Sequence, residues 1–140
     1  MRWEDCLENK VFERKKDISA AESLFSIAKI RIKDNEKRER TDDNVPLIVE
    51  AYWEIIKQLI TASLTLDGYK SYSQECLVSY LEEFYEFSHE ELELIDELRE
   101  VRNDIDYRGR YLQMDYLNRK EDKIQSIISK LEEKVEERLD

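Results

Sequence analysis

Glycine and proline are nearly missing from this sequence, with two of the first and one of the second among 140 residues. That shortage leaves little material for hairpins, tight turns or long irregular loops. Histidine occurs once, as His89, and cysteine twice, as Cys6 and Cys76. A structural zinc site needs four Cys or His ligands, so metal binding is excluded on supply, as is a Ser-His-Asp triad built on a histidine at a helix start. The two cysteines lie far apart and form no CxxC motif, so both are expected reduced, Cys76 as a small buried hydrophobe. No apolar run approaches the roughly 20 residues that cross a bilayer. The opening MRWEDCLENK has acids where a signal peptide needs an apolar centre. A cytoplasmic protein without membrane contact is the expectation.

Positive charge is also in deficit. The formal net charge is −11, with 34 acidic against 23 basic residues. Spread evenly, that charge repels nucleic acid and anionic lipid alike, so any anion site has to be local. What the chain does have is 41% charged and 41% hydrophobic residues, a balance suited to long amphipathic helices. Its length fits a single domain, residues 1–140, that buries about two-thirds of its unfolded surface.

The hydrophobic pattern divides the chain into helices. Arg2 to Asn9 forms a short lead-in carrying Trp3 and Leu7. The next helix begins near Asp17 or Ser19, with Ser19-x-x-Glu22 as a capping box. Ile18, Ala21, Phe25, Ala28 and Ile32 behind it make one buried stripe. After the polar run Lys33 to Arg40, TDDNVP marks a break in which Asn44 caps and Pro46 fits a first turn. Ile48, Tyr52, Ile55, Leu59, Ala62 and Leu66 then line a second helix face, closed by the left-handed residue Gly68. A third helix is predicted from Ser73 to Phe87, with Leu77, Tyr80, Leu81 and Phe84 inward. Ser88-x-x-Glu91 is a second capping box and opens a fourth helix. The last helix, from Met114 to the end, puts Leu117, Ile124, Ile128, Leu131 and Val135 on one side. No stretch alternates with period two. The predicted fold is all-α, an antiparallel up-and-down bundle of four to five helices.

One stretch departs from the acidic background. LREVRNDIDYRGR, residues 98–110, concentrates four arginines against Glu100, Asp104 and Asp106. At about 100° per residue, Leu94, Leu98, Val101 and Ile105 form the core stripe of the fourth helix. Arg99, Arg102, Asn103 and Asp106 gather on nearly the opposite side, with Tyr107 at the edge. Leu92 and Ile95 precede that strip and make a second apolar patch. A homodimer interface around Leu92, Ile95 and Arg99 would account for it. The competing reading makes Arg102 and Asp106 an ordinary surface pair, four residues apart, which stabilises by only about 0.3–0.5 kcal/mol.

Two segments together resemble the HEPN domain family. AYWEIIKQLITASLTLDGYKSYSQECLVSYLEEF is similar to its central helical pair joined at a Gly-containing turn. LREVRNDIDYRGR is similar to its motif helix, in which an Arg and a polar residue precede a His about one turn later. The resemblance implies a two-fold paired helical bundle. It also implies metal-independent ribonuclease chemistry in active members and frequent pairing with a minimal nucleotidyltransferase in toxin–antitoxin-like systems. By position, Arg102 matches the motif Arg, Asn103 the polar residue and Tyr107 the His. Tyr, with a pKa near 10, is a poor proton carrier at neutral pH. The resemblance thus implies catalytic positions at Arg102, Asn103 and Tyr107 and no cofactor; the arginine cluster itself extends the expected phosphate-binding set to Arg99, Arg102, Asn103 and Arg110. Three readings follow: a module that binds RNA or nucleotide phosphate at a dimer cleft, a ribonuclease using Tyr107, Asp104 or Asp106, and a non-catalytic interaction protein partnering a minimal nucleotidyltransferase.

Overall fold

A computed structural model describes residues 1–140. The helices are α1 (Trp3–Asn9), α2 (Ile18–Glu36), α3 (Val45–Asp67), α4 (Glu75–Phe84), α5 (His89–Arg108) and α6 (Met114–Leu139). Two short strands, β1 (Val11–Glu13) and β2 (Tyr69–Ser71), complete the chain. No helix is long and apolar enough to cross a membrane.

Helix α3 is the centre. Its Ile48, Val49, Trp53, Ile55, Ile56, Leu59 and Ile60 are all fully buried, more than one stripe can hold. A helix apolar on several faces has to be covered on several sides. Here α2, α4, α5, α6 and β2 all pack on it. Side-chain pairings give the directions. Asn35 near the end of α2 reaches Ile48 near the start of α3, so these two run antiparallel. Glu54 meets Arg102 and Glu50 meets Asp106, so α5 is antiparallel to α3. Tyr52 and Asp67 meet Glu121 and Arg138 in the same order, which makes α6 parallel to α3. The four long helices thus alternate up and down, as expected of short connections.

The local signals perform unevenly. At α5 the predicted capping box is complete: Ser88 Oγ accepts from Glu91 N–H at 3.1 Å, and Glu91 accepts from Ser88 N–H at 2.8 Å. Gly68 and Gly109 close α3 and α5 with φ of 81° and 63°, as the left-handed positions require. The cap of α2 is Asp17, not Ser19: its carboxylate accepts from Ala20 N–H at 2.9 Å. Ile18 is exposed at the first turn of that helix. Asn44 occupies the cap position of α3 with helical dihedrals, so its side chain makes no cap bond and donates to the Glu39 carbonyl instead. Helix α4 is shorter than predicted at both ends, and Phe84 at its last turn is 47% exposed while packing edge-on against Trp3.

Two corrections concern the N-terminal segment. The strands pair antiparallel, with Val11 opposite Ser71 and Glu13 opposite Tyr69. Three-residue strands are too short to show alternation in sequence. The cysteines are not free thiols: Cys6 in α1 and Cys76 in α4 form a disulfide across 70 residues of chain. Disulfides persist in oxidising surroundings and inside hyperthermophiles, so the bond stands in tension with an ordinary reducing cytoplasm. Together the disulfide and the sheet bind the first 13 residues to the body of the fold.

Closing a loop of this length stabilises by about 4 kcal/mol in the chain-entropy account. Treatment with a reductant is therefore expected to lower the thermal midpoint markedly, and a Cys6→Ser, Cys76→Ser variant should melt where the reduced protein does. A midpoint insensitive to reductant, with intact-mass analysis showing two thiols, would count against the pairing. Ser88→Ala should cost about 1 kcal/mol through the lost cap, measured by urea unfolding.

Candidate functional site

The arginine-rich stretch divides along α5 into three unlike environments. At its start Arg99 is only 12% exposed by side chain. It is held by Asp96 at 2.8 Å, Glu100 at 3.5 Å and Glu75 of α4 at 4.0 Å. The second apolar patch that precedes it is covered by the chain itself. Ile95 is fully buried, Leu92 packs against the core, and α4 lies over this part of α5. Ile95 is thus closed to a second subunit, because α4 supplies the partner that a lone helix lacked, while Leu92 and Arg99 stay partly exposed.

The middle environment is a charged seam between α3 and α5. Glu50, Glu54 and Lys57 of α3 fall at i, i+4 and i+7, one face of a helix. Arg102 answers them, with Nη2 at 3.1 Å from Glu54 Oε1 and Nε at 3.1 Å from Asp106 Oδ2. Lys57 Nζ takes Glu54 from the other side at 2.8 Å. Arg102 and Glu54 are about four-fifths buried by side chain, at 20% and 19% exposure. Their ion-pair distances are short, but Arg102 Nε and Glu54 Oε1 lack hydrogen-bond alignment. The Glu50 carboxyl is held above the ordinary carboxylate range, chiefly by its hydrogen bond to Asp106, then by burial and by the charges of Asp106 and Glu54, against the pull of Arg102. Three carboxyl groups thus surround one guanidinium. A phosphate could reach Arg102 only by displacing two carboxylates from a half-dry seam. Asn103 is half-buried beside it.

The third environment is the tip, where α5 ends. Tyr107, the residue at the proton-carrier position, is 80% exposed, and Tyr111 beyond the turn is 65% exposed. Tyr107 lies about 140° around the helix from Arg102. Arg108 and Arg110 share one carboxylate, Asp104, at 3.1 and 3.3 Å. Arg108 is 80% exposed by side chain, and pairs so wet are worth little. The Arg110 backbone N–H donates to the Asp104 carbonyl at 3.1 Å, which folds the turn back through Gly109. His89 lies at the opposite end of α5, paired with Glu93 on the surface.

Arg99, Arg102, Asn103, Arg110 and Tyr107 are therefore not brought together into one pocket. Sequence reasoning missed Glu50 and Glu54, although two acids four apart in the apolar first half of α3 were a readable signal. It also missed Tyr111, which lies outside any periodic pattern. A scan against protein-family models, a search of curated proteins and a search of solved structures each found no match.

The seam makes a stability prediction that separates a structural Arg102 from a phosphate-holding one. Arg102→Ala leaves three carboxyls facing one another and is expected to cost about 1–3 kcal/mol by urea unfolding. Arg108→Ala should cost under about 0.5 kcal/mol. Because the folded pKa of Glu50 is raised, its favourable contribution is full in acid and is lost as pH rises through that value. Glu50→Gln should therefore flatten the fall in stability above the ordinary carboxylate range. An unchanged pH profile in that variant would refute the raised Glu50 carboxyl.

Proposed function

We propose that this chain is a HEPN-like helical module that binds single-stranded RNA weakly and does not cleave it, with the α5 tip as its contact surface. The observation that supports the reading is that exposed Tyr107 and Tyr111 bracket Arg108 and Arg110 in the chain. Exposed aromatic faces stack on unpaired bases, at about 1–3 kcal/mol per base, and neighbouring guanidinium groups take the phosphates. The loosely held Arg108 and Arg110 can exchange Asp104 for a phosphate at small cost, which Arg99 and Arg102 cannot. Absence of cleavage follows from the separation of parts. Arg102, four-fifths buried and held by two carboxylates, and the outward Tyr107 lie about 140° apart on α5 and do not converge on one phosphate.

A protein partner is the second reading, favoured by the −11 charge. Tyr and Arg are the residues most often dominant at protein interfaces, so the same tip would suit a minimal nucleotidyltransferase of the kind the family resemblance implies.

Fluorescence anisotropy with a labelled oligo-uridylate at low salt tests the proposal. Weak binding is expected, falling with added salt by a slope of about −0.7 per phosphate contact. It should be lost in Tyr107→Ala, Tyr111→Ala and kept in Arg102→Met. Mixed RNA incubated in EDTA should yield no cyclic-phosphate ends, and Tyr107→His should yield none either. Cleavage by that variant would refute the separated geometry, and equal binding by the double tyrosine variant would refute the tip.

A further inference from the structure

We infer that a second anion site, independent of the α5 tip, lies between β2, the loop after β1 and α3, and takes a small phosphate ester on a hydroxylated carbon skeleton. The cavity there measures about 630 Å³, within the range of small-ligand pockets. Arg14, Lys15, Lys57 and Lys70 line it against a single acid, Asp17. In a chain of net charge −11 that is a local reversal of sign.

The state of those cations sets the cavity apart from α5. Arg14, Lys15 and Lys70 are in no ion pair. Arg14 spends its guanidinium on the Glu13 carbonyl at 2.8 Å and the Tyr72 hydroxyl at 3.4 Å, and Lys70 lies over the Tyr72 ring. Lys15 and Lys70 are exposed, so their charges stand at the rim, whereas Thr61 and Thr65 of α3 are half-buried below. Both threonine hydroxyls donate back along their own helix, to the Lys57 carbonyl at 2.7 Å and the Thr61 carbonyl at 2.8 Å. Their hydrogens are used, so each offers lone pairs only. Asp17 is exposed at the rim with the lysines, and one of its oxygens is spent on the cap of α2. Three exposed cations at the rim and two half-buried threonine acceptors within match a ligand that is anionic at one end and carries hydroxyl donors at the other.

The wall is fixed in place rather than merely adjacent. The Arg14 N–H donates to the Gly68 carbonyl at 2.8 Å. A Cβ on Gly68 would lie 2.8 Å from the Arg14 carbonyl oxygen and 3.1 Å from Lys16 Cγ, so only glycine lets the loop approach this closely. The β1–β2 pairing puts Phe12 opposite Lys70, and the Cys6–Cys76 bond ties down the helix before β1.

Sugar phosphates and nucleotides share the required chemistry. Isothermal titration of the disulfide-intact protein at low salt, with ribose 5-phosphate, ADP, inorganic phosphate and oligo-uridylate as separate probes, distinguishes them. Saturable binding of ribose 5-phosphate or ADP is expected, and whichever binds more tightly names the source. Lys15→Glu, Lys70→Glu should weaken it at least about tenfold. Lys33→Glu, Lys37→Glu makes the same charge change on exposed residues of α2 and beyond, and should leave binding unchanged; melting curves confirm that both variants fold. The proposal is overturned by absence of saturable binding to either ester, by inorganic phosphate binding as tightly as both, or by an equal loss in the control variant. Tighter binding of oligo-uridylate, lost in Lys15→Glu, Lys70→Glu, would overturn it in favour of an RNA groove. Loss of RNA binding in the tyrosine variants leaves this site untouched, so the two proposals fail separately.

Discussion

Twelve of the 23 residues of α3 are buried, and a helix with so little wet surface dictates what its neighbours must be. Each of α2, α5 and α6 brings one apolar stripe to it, and α4, which meets Trp53 through its N-cap residue Gln74 and Asp67 through Tyr80, packs along its second half with β2. The polar face that α3 keeps is narrow, and Glu50, Glu54 and Lys57 occupy it where α5 passes. Charges at such a contact lose much of their water and have to be matched across it. Arg102 matches them. Its position is explained by what α3 presents, before any ligand is considered.

This reverses the first reading of the arginine cluster. In sequence, a guanidinium surrounded by acids looks the same whether the acids are neighbours in space or only in the chain. Long-range partners decide it: Glu54 is 48 positions from Arg102 and Glu75 is 24 from Arg99, and both are within ion-pair reach. An arginine held by two carboxylates is electrostatically satisfied, and a phosphate offers it no more than it already has. Those without such partners, or with one shared wet carboxylate, are the cations left for an anion. By that criterion the tip of α5 and the rim around Lys15 and Lys70 stand out, although only the first lies in the conspicuous stretch.

The helices were legible because their stripes are long and their periodicity is set by the backbone. The last helix shows this best, with all of Leu117, Ile124, Ile128, Leu131 and Val135 buried as read. The capping box at Ser88 and the left-handed glycines were legible for the same reason, since both are rules acting over a few residues. What escaped notice depends on distant contacts. Ile95 looked unpartnered on α5 because α4 covers it from another part of the chain. Cys6 and Cys76 looked like isolated thiols because nothing local shows that α1 folds against α4. The strands escaped because their pairing partners lie 56 or more residues apart and each is three residues long.

The N-terminal segment then acquires a purpose beyond closing the core. Its only fully sequestered side chains are Trp3, Cys6 and Val11, a small apolar area on which to hold 13 residues against their conformational entropy. The disulfide makes up that deficit by restricting the unfolded chain, and β2 supplies the hydrogen-bonding edge. The cost of ordering the segment is therefore met without burying Arg14 or Lys15, which stay exposed where β1 runs out. A larger apolar clamp would have stabilised the same segment but would have covered the loop. Anchoring by covalent bond and backbone pairing is what leaves unpaired cations standing over a cavity in an otherwise acidic protein.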